Sequence, residues 1–296
     1  MAFRVLFTHE ADACRRAVVT AVLWLCVAAA SPLLAQSRDC EASISAGACE
    51  NGVVVHRVTS EYQSAETNIR VLLPDCLQRG VCYPVLYVLP VDVGDGVRWG
   101  DGLQEIVKHD LHNRHRFICV APTFAQLPWY ADHPTDRGIR QETYLLNVVL
   151  PFIERTYPAR CDADGRLLLG FSKSGWGAWS LLLRHPETFG KAAAWDAPLM
   201  MSAPGKYGSG PIFGTQENFD AYHVAGLARS RADVLRTRSR LVLTGYSGFR
   251  EEHVAMHALL TELEIPHDYR DGPKLKHDWH SGWVREAVEL LAGCSR

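Results

Sequence analysis

Short apolar runs alternate with stretches of helical periodicity along most of this 296-residue chain. The apolar runs lie at residues 83–90, 116–121, 166–171, 191–195, 240–245 and 267–270, and the helical patterns lie at 103–111, 142–157, 174–184, 250–263 and 281–291. Strands that alternate with helices indicate a mostly parallel sheet covered on both faces. The chain is therefore predicted to be an α/β protein. Two earlier segments, 52–60 and 68–73, are predicted to add a hairpin around the polar stretch 61–66.

One long stretch departs from this alternation. Residues 197–235 contain glycine and proline early and helical fragments later. No internal repeat or low-complexity segment is present, so residues 36–296 are predicted to form one domain, with a lid-like insertion at about 197–235.

The first 35 residues have the pattern of a secretory signal. Arg15 and Arg16 precede an apolar run at 17–30, and small residues end at a candidate cleavage point after Ala35. An uncleaved membrane anchor is the alternative, but the run is shorter than the roughly 20 residues that a spanning helix needs. No second apolar segment is long enough to span, so the pattern predicts a secreted or periplasmic product without an integral membrane segment once the signal is removed.

Composition narrows the classes of partner. Hydrophobic residues make up 47% and charged residues 22%, as in globular proteins with a sizeable core. The net charge of -2 and the lack of a long basic block do not favour nucleic-acid binding.

Nine cysteines are present, and export would place most of them in an oxidising compartment. Disulfides are predicted between the pairs Cys40/Cys49 and Cys76/Cys82, with Cys161/Cys294 as a third candidate. Cys119, inside an apolar run, is predicted to be a buried free thiol. No residue pattern predicts a metal or cofactor site.

The strand at 166–171 runs directly into a helix through the sequence Gly-Phe-Ser-Lys-Ser at 170–174. A tight strand-to-helix turn raises a serine hydroxyl above the sheet edge, and small residues two positions away allow the close packing. The helix N-terminus also offers backbone N–H groups to an oxyanion. Ser172 is therefore predicted to be a catalytic nucleophile. Ser247, in a second Gly-x-Ser, is disfavoured because the bulky Phe249 follows it.

A serine nucleophile needs a base and an acid, in the chain order Ser, acid, His. His277 follows the last predicted strand and is predicted to be the base, with His280 as the alternative. The loop at 246–249, where the acid is expected, has no carboxylate. Asp196, at the end of the strand 191–195, is therefore preferred as the acid, and Glu251 is the alternative.

Four aromatic residues lie near predicted strand tips: Trp99, Trp129, Tyr130 and Trp176. They are predicted to stack on a sugar or aromatic acyl group of a substrate, with packing in the core or rim as the alternative.

Several further motifs occur at 53–291: Tyr-Pro-Val-Leu-Tyr-Val-Leu at 83–89, Trp-Tyr at 129–130, Leu-Pro-Phe-Ile-Glu at 150–154, Gly-Trp-Gly-Ala at 175–178, His-Pro-Glu at 185–187, Phe-Gly at 189–190 and His-Asp-Trp at 277–279. Together with the serine motif, they make the chain resemble the esterase family of α/β hydrolases. That family includes esterase D-like enzymes, feruloyl and acetyl-xylan esterases, enterochelin esterases and mycolyltransferases. The resemblance implies an α/β-hydrolase fold, a Ser-His-acid triad, a covalent acyl-enzyme and no cofactor.

The chain departs from the family pattern in three places. Ser174 replaces the last glycine of the serine motif, and the usual acid after the penultimate strand is missing. Pro90-Val91 replaces the His-Gly that usually follows the first central strand. Since proline has no N–H, the oxyanion donors are predicted to be the backbone N–H groups of Lys173 and Asp92.

These features predict a secreted serine esterase that acts on small-molecule or polysaccharide-linked esters. Transfer of the acyl group to a sugar or lipid is one alternative. A catalytically silent carbohydrate-binding protein is another, motivated by the lost His-Gly and the displaced acid.

Overall fold

The computed structural model describes residues 42–293. The predicted signal segment and Cys14, Cys26, Cys40 and Cys294 lie outside the described residues. Ten strands form one sheet within this part of the chain: β1 (Ala42–Ile44), β2 (Ala48–Glu50), β3 (Val53–Ser60), β4 (Thr67–Leu72), β5 (Val85–Val88), β6 (Ile118–Pro122), β7 (Arg166–Phe171), β8 (Lys191–Trp195), β9 (Leu241–Tyr246) and β10 (His267–Lys274).

Eleven α-helices accompany the strands in the described part of the chain. They are α1 (Gly102–Lys108), α2 (Leu111–Arg114), α3 (Gln141–Tyr144), α4 (Leu150–Thr156), α5 (Ser172–Arg184), α6 (Gly210–Phe213), α7 (Gln216–Asp220), α8 (Val224–Ser230), α9 (Ala232–Leu235), α10 (Arg250–Glu262) and α11 (Val284–Leu291). A π-helical stretch, Leu145–Val149, joins α3 to α4.

The strand order confirms the predicted α/β architecture. From β6 onwards the sheet runs β6-β5-β7-β8-β9-β10 with every pair parallel. The predicted hairpin is β3 and β4, which pair antiparallel and extend the sheet beyond β6. Because β7, β8 and β9 are neighbours and parallel, their carboxyl ends meet at one edge of the sheet.

The central strands are buried on both faces, which explains their nearly continuous apolar sequences. Successive side chains of a strand point to opposite faces, so the strands contribute to two cores. Val85 and Tyr87 of β5 join the core that includes α4, α5, α8 and α10, whereas Leu86 and Val88 join the core that includes α1, α2 and α11.

The segment 197–235 is largely part of the first core. Its apolar side chains are buried there, among them Leu199, Phe213, Phe219, Val224 and Leu235. Residues 205–208 are exposed. Positions 202–203 and 214–217 are exposed as well, so the segment alternates between core and surface, and its role as a lid stays a prediction.

The predicted disulfide between Cys76 and Cys82 is wrong, since both are free thiols. Cys49 and Cys161 are free as well, and their predicted partners lie outside the described residues. Cys119 is a fully buried free thiol, as predicted, and burial raises its pKa. Between residues 42 and 293, no helix has the length and apolar character needed to cross a bilayer.

Candidate active site

Ser172 occupies a strained turn between β7 and α5. Its φ is 54°, in the left-handed region that non-glycine residues rarely adopt. The residue is 9% exposed, and its N–H donates to the carbonyl of Asp196 at 3.2 Å. Among the described residues its hydroxyl has no hydrogen-bond partner. The sharp bend thus holds the hydroxyl at the carboxyl edge of the sheet, as the sequence motif predicts.

The residues two and three positions away from Ser172 are small because the backbone leaves no room for larger ones. A Cβ on Gly170 would lie 2.3 Å from the carbonyl oxygen of Ser174, and one on Gly175 would lie 2.9 Å from the Cβ of Ala197. Ser174 itself is fully buried, and its Oγ accepts from the N–H of Phe171 at 3.1 Å and donates to the Phe171 carbonyl at 3.0 Å. Ser174, which stands where the family has glycine, therefore stabilises the turn through two hydrogen bonds to the backbone of Phe171.

His277 and Asp196 form a hydrogen-bonded pair beside this turn. Nδ1 of His277 lies 2.5 Å from Oδ2 of Asp196. Because an ionised carboxylate only accepts, Nδ1 carries the proton, and Nε2 is left as a free acceptor. The ring of His277 packs 5.0 Å from that of Phe171, the residue that precedes Ser172.

Asp196 is fully buried at the end of β8, and its φ of 41° turns the backbone sharply there. Its Oδ1 accepts from the N–H groups of Gly248 and Phe249 at 2.9 and 2.7 Å. Burial alone would raise the pKa of this carboxyl, but the hydrogen bonds from His277 and the Phe249 backbone outweigh burial and hold the pKa below its ordinary value. The loop after β9, which lacks a carboxylate of its own, thus supplies donors to the carboxylate of the neighbouring strand.

Aromatic rings surround His277 on several sides. The ring centroids of Trp99, Trp195 and Phe249 lie 5.3, 6.3 and 6.1 Å from that of the imidazole. Trp195 stacks in turn on Trp283 at 5.2 Å. This packing restricts the imidazole while its side chain stays 26% exposed.

A buried carboxylate on α1 anchors the loop that carries His277. Glu105 is fully buried and lies 2.9 Å from Nδ1 of His280 and 2.9 Å from Nε2 of His109. Nε2 of His280 accepts from the N–H of Asp101 at 3.2 Å. Both nitrogens of His280 are therefore engaged away from Ser172, so the alternative assignment of His280 as the base does not fit.

His253 supports the turn at Asp196 from α10. Its Nε2 accepts from the N–H of Ala197 at 2.8 Å, and the side chain is 2% exposed. Burial lowers its pKa to about 4, and the nearby charge of Asp196 only partly opposes this shift. The sequence offered no signal for His253 or Glu105 beyond the spacing of Glu105 with Lys108 and His109 on one helix face.

Three of the four aromatic residues predicted to bind substrate are fully buried, and that prediction is wrong for them. Trp129 and Trp176 pack edge to face in the core at 5.5 Å. Tyr130 donates its hydroxyl hydrogen to the carbonyl of Pro90 at 2.7 Å, and a Cβ on Gly177 would lie 2.2 Å from its ring. Tyr130 thus supports the loop that follows β5, and Trp99 alone of the four lies at the site.

The remaining candidates have different surroundings. Lys173 lies in the first turn of α5, where a helix has no acceptor of its own for the N–H. Asp92 lies two residues beyond Pro90, and its Oδ2 is buried without a hydrogen-bond partner in the described chain. Glu251 is exposed on α10, and no hydrogen bond joins it to His277 within residues 42–293. The geometry therefore favours Asp196 over Glu251 as the partner of the imidazole.

Comparisons with known proteins show which family and fold the chain shares. The curated protein "Esterase Rv1288" of Mycobacterium tuberculosis is 26% identical over 243 residues, which cover 69% of this chain and 51% of that protein. The chain thus spans about half the length of the curated relatives it matches. A solved ferulic acid esterase superposes with a TM-score of 0.65 at 21% identity, covering 81% of this chain and 96% of that one.

A fluorophosphonate-binding serine hydrolase of Staphylococcus aureus superposes with a TM-score of 0.65 at 14% identity, covering 84% of this chain and 99% of that one. These likenesses identify the α/β-hydrolase fold. The model of the Esterase family, described as "Putative esterase", matches residues 60–238, which is more than half of the chain. The chain therefore belongs to the esterase family.

Proposed function

We propose that this protein is a serine esterase that hydrolyses carboxylic esters through an acyl-enzyme. The observation that carries the proposal is the 2.5 Å hydrogen bond between His277 and Asp196, on a ring packed against the residue that precedes Ser172. A strained serine, an imidazole with one free nitrogen and a buried carboxylate behind it are the three parts of a Ser-His-acid triad.

In the proposed mechanism, the Oγ of Ser172 attacks the ester carbonyl while Nε2 of His277 takes its proton. The backbone N–H groups of Lys173 and Asp92 stabilise the resulting oxyanion. His277 then protonates the leaving alcohol, and water attacks the acyl-enzyme with the same imidazole as base. The bond between the acyl carbon and Oγ breaks, the carboxylic acid leaves, and His277 returns the proton to Ser172. Asp196 keeps the proton on Nδ1 and stabilises the imidazolium when it forms.

The hydroxyl of Ser172 has no hydrogen-bond partner among residues 42–293, so the bond to Nε2 must form when substrate binds. Such bonds are often long or absent without substrate and tighten only in the complex. Rotation of the partly exposed His277 side chain within its aromatic surroundings is the motion that the proposal requires.

We extend the proposal to the setting and the substrate. The signal pattern at 1–35 supports export, which favours extracellular esters over cytosolic ones. The similarity to a ferulic acid esterase supports esters with aromatic acyl groups, including those linked to carbohydrate. Trp99, partly exposed beside His277, offers one ring face for such a group.

The test compares Ser172→Ala with Ser247→Ala as the matched control, on a small chromogenic ester and with a fluorophosphonate probe. Ser172→Ala should lose both turnover and labelling, because only an activated serine reacts with the probe. Ser247→Ala should keep both. Unchanged turnover in Ser172→Ala would refute the assignment, and a wild-type protein that is neither labelled nor active would support the silent binding protein. An added acceptor alcohol shows whether the acyl group goes to water or to the acceptor.

A further inference from the structure

The lysines of this chain are distributed unevenly. All six lie within the described residues, and two are ion-paired: Lys108 with Glu105 at 3.1 Å and Lys191 with Asp268 at 3.8 Å. The ammonium groups of the other four have no ion pair or hydrogen bond in the part of the chain that the structure describes; these are Lys173, Lys206, Lys274 and Lys276.

The four unpaired lysines all lie on segments that border the candidate site. Lys173 follows Ser172 directly, and Lys276 precedes His277 directly. Lys274 ends β10 at the same edge of the sheet, paired with Tyr246. Lys206 adjoins a tyrosine whose ring lies 5.4 Å from that of Phe249, which itself faces His277. The unpaired lysines are thus concentrated at the carboxyl edge of the sheet.

Arg98 adds a fifth cation close to the triad. Its guanidinium lies 4.9 Å above the ring of Trp99, which contacts the imidazole of His277 edge to face at 5.3 Å. Arg98 has no ion pair within residues 42–293. A guanidinium held over an aromatic ring keeps its donors free for a planar anion.

The acidic groups of the same loop do not neutralise these cations by direct contact. Asp95 accepts from Asn68 at 2.8 Å, and Asp101 pairs with Arg70 at 2.6 Å. Asp92 is the carboxylate that acts on Lys173: burial lowers the pKa of this lysine, Asp92 raises it and Arg98 lowers it further. Apart from Asp196, which is hydrogen-bonded to His277, the charges that act on Lys173 are thus one carboxylate, Asp92, and one cation, Arg98.

We propose that Arg98 and Lys173 form a subsite for a carboxylate carried by the ester substrate, so that the protein prefers anionic esters. The other three unpaired lysines attract such a substrate to the mouth of the site. Net charge cannot be the cause of this attraction, because the whole chain carries -2. A local field of one sign in a partly enclosed site raises the rate of association with oppositely charged substrates and weakens with salt.

This inference rests on the proposed esterase function and is tested by a ratio. The probes are two matched pairs of esters: 4-acetoxybenzoate against 4-acetoxybenzamide, with the charge on the alcohol side, and mono(4-nitrophenyl) adipate against its methyl ester, with the charge on the acyl side. The measurement is kcat/KM for the charged member divided by that for the neutral member. Comparing this ratio between enzyme variants cancels the difference in intrinsic reactivity of the two esters.

In at least one pair, the ratio should fall about 3- to 10-fold in Arg98→Gln and again in Lys173→Met, and it should fall with added salt. Arg79→Gln is the control, since Arg79 is exposed and lies before the start of β5, at the opposite edge of the sheet. It should leave the ratio unchanged. If Arg98→Gln leaves both ratios at the wild-type value while neutral esters are still hydrolysed through Ser172, the subsite is overturned and the esterase proposal stands. Ester hydrolysis that persists in Ser172→Ala would instead refute both the subsite and the proposed mechanism through Ser172.

Discussion

The carboxylate of Asp196 accepts hydrogen bonds from one imidazole and two backbone N–H groups. One oxygen serves His277, and the other serves Gly248 and Phe249. Because these partners come from different loops, the Asp196 side chain links His277 to the loop after β9. The depressed pKa of Asp196 follows from these hydrogen bonds and keeps it ionised at neutral pH.

We predict that Asp196→Asn lowers kcat by about 10³- to 10⁴-fold while the fold is retained. An amide can still accept from the two N–H groups, but it no longer requires Nδ1 of His277 to carry the proton, so the base is held in the wrong tautomer. Steady-state kinetics on a small ester and circular dichroism of the same sample measure the two effects. Glu251→Gln serves as the control and should retain activity within about twofold; a comparable loss in that variant would assign the acid to Glu251 instead.

At the scale of elements, the buried carboxylate of Glu105 links α1 to the loop after β10. This carboxylate accepts hydrogen bonds from Lys108 and His109 on its own helix and contacts His280 from the loop. The N–H of Trp279 also donates to the carbonyl of Trp99 at 2.8 Å. The loop that carries His277 is thereby joined to the loop that carries Trp99 and Asp92.

We predict that Glu105→Gln reduces kcat at least about tenfold with a smaller change in KM, because displacement of a catalytic group by about 1 Å can cost 10²-fold. Glu142→Gln is a matched control. Glu142 is also a buried carboxylate, held by Arg184 and His185 at the far end of α5 from Ser172. Both variants should lose about 1–3 kcal/mol of unfolding free energy in urea titrations. Equal activity of the two variants per folded molecule would show that Glu105 has a structural role alone.

At the scale of the whole molecule, stability in weak acid depends on a histidine that the fold keeps neutral. His253 has a folded pKa of about 4 because it is buried, whereas the ordinary value is 6.5. Below pH 6.5 the unfolded chain binds a proton that the folded protein does not, so the unfolding free energy falls as the pH falls from 6.5 towards 4. The full shift corresponds to about 3 kcal/mol at 1.36 kcal/mol per pKa unit.

We predict that His253→Gln flattens this part of the stability profile. The glutamine oxygen can accept from the N–H of Ala197 in place of Nε2, but it does not titrate. Urea unfolding at intervals between pH 4 and 7 should show wild type losing more stability than the variant. If the unfolding free energies of the two proteins fall equally with pH, the imidazole of His253 is protonated in the folded protein.

The sharp turn at Ser172 was predictable because its determinants are local. The strand β7 and the helix α5 follow each other directly at 166–184, and the clashes that require Gly170 involve the backbone of Ser174 and Gly175, only four and five residues away. Strand and helix positions likewise follow from periodicity, which is set by neighbouring residues.

The sequence already favoured Asp196 over Glu251 as the candidate acid, but the contact of Asp196 with His277 and the burial of the aromatic residues depended on tertiary structure. Asp196 reaches His277 across 81 residues because parallel pairing places β8, β9 and β10 side by side, and sequence distance carries no information on that adjacency. Trp129 and Trp176 resemble binding residues in sequence, yet the helices packed on the sheet bury them completely. The sequence alone determined the local turn at Ser172, because its residues are neighbours in the chain. The sheet decided that Asp196 lies behind His277 and that Glu105 anchors the loop of His277, because those contacts join segments far apart in the chain.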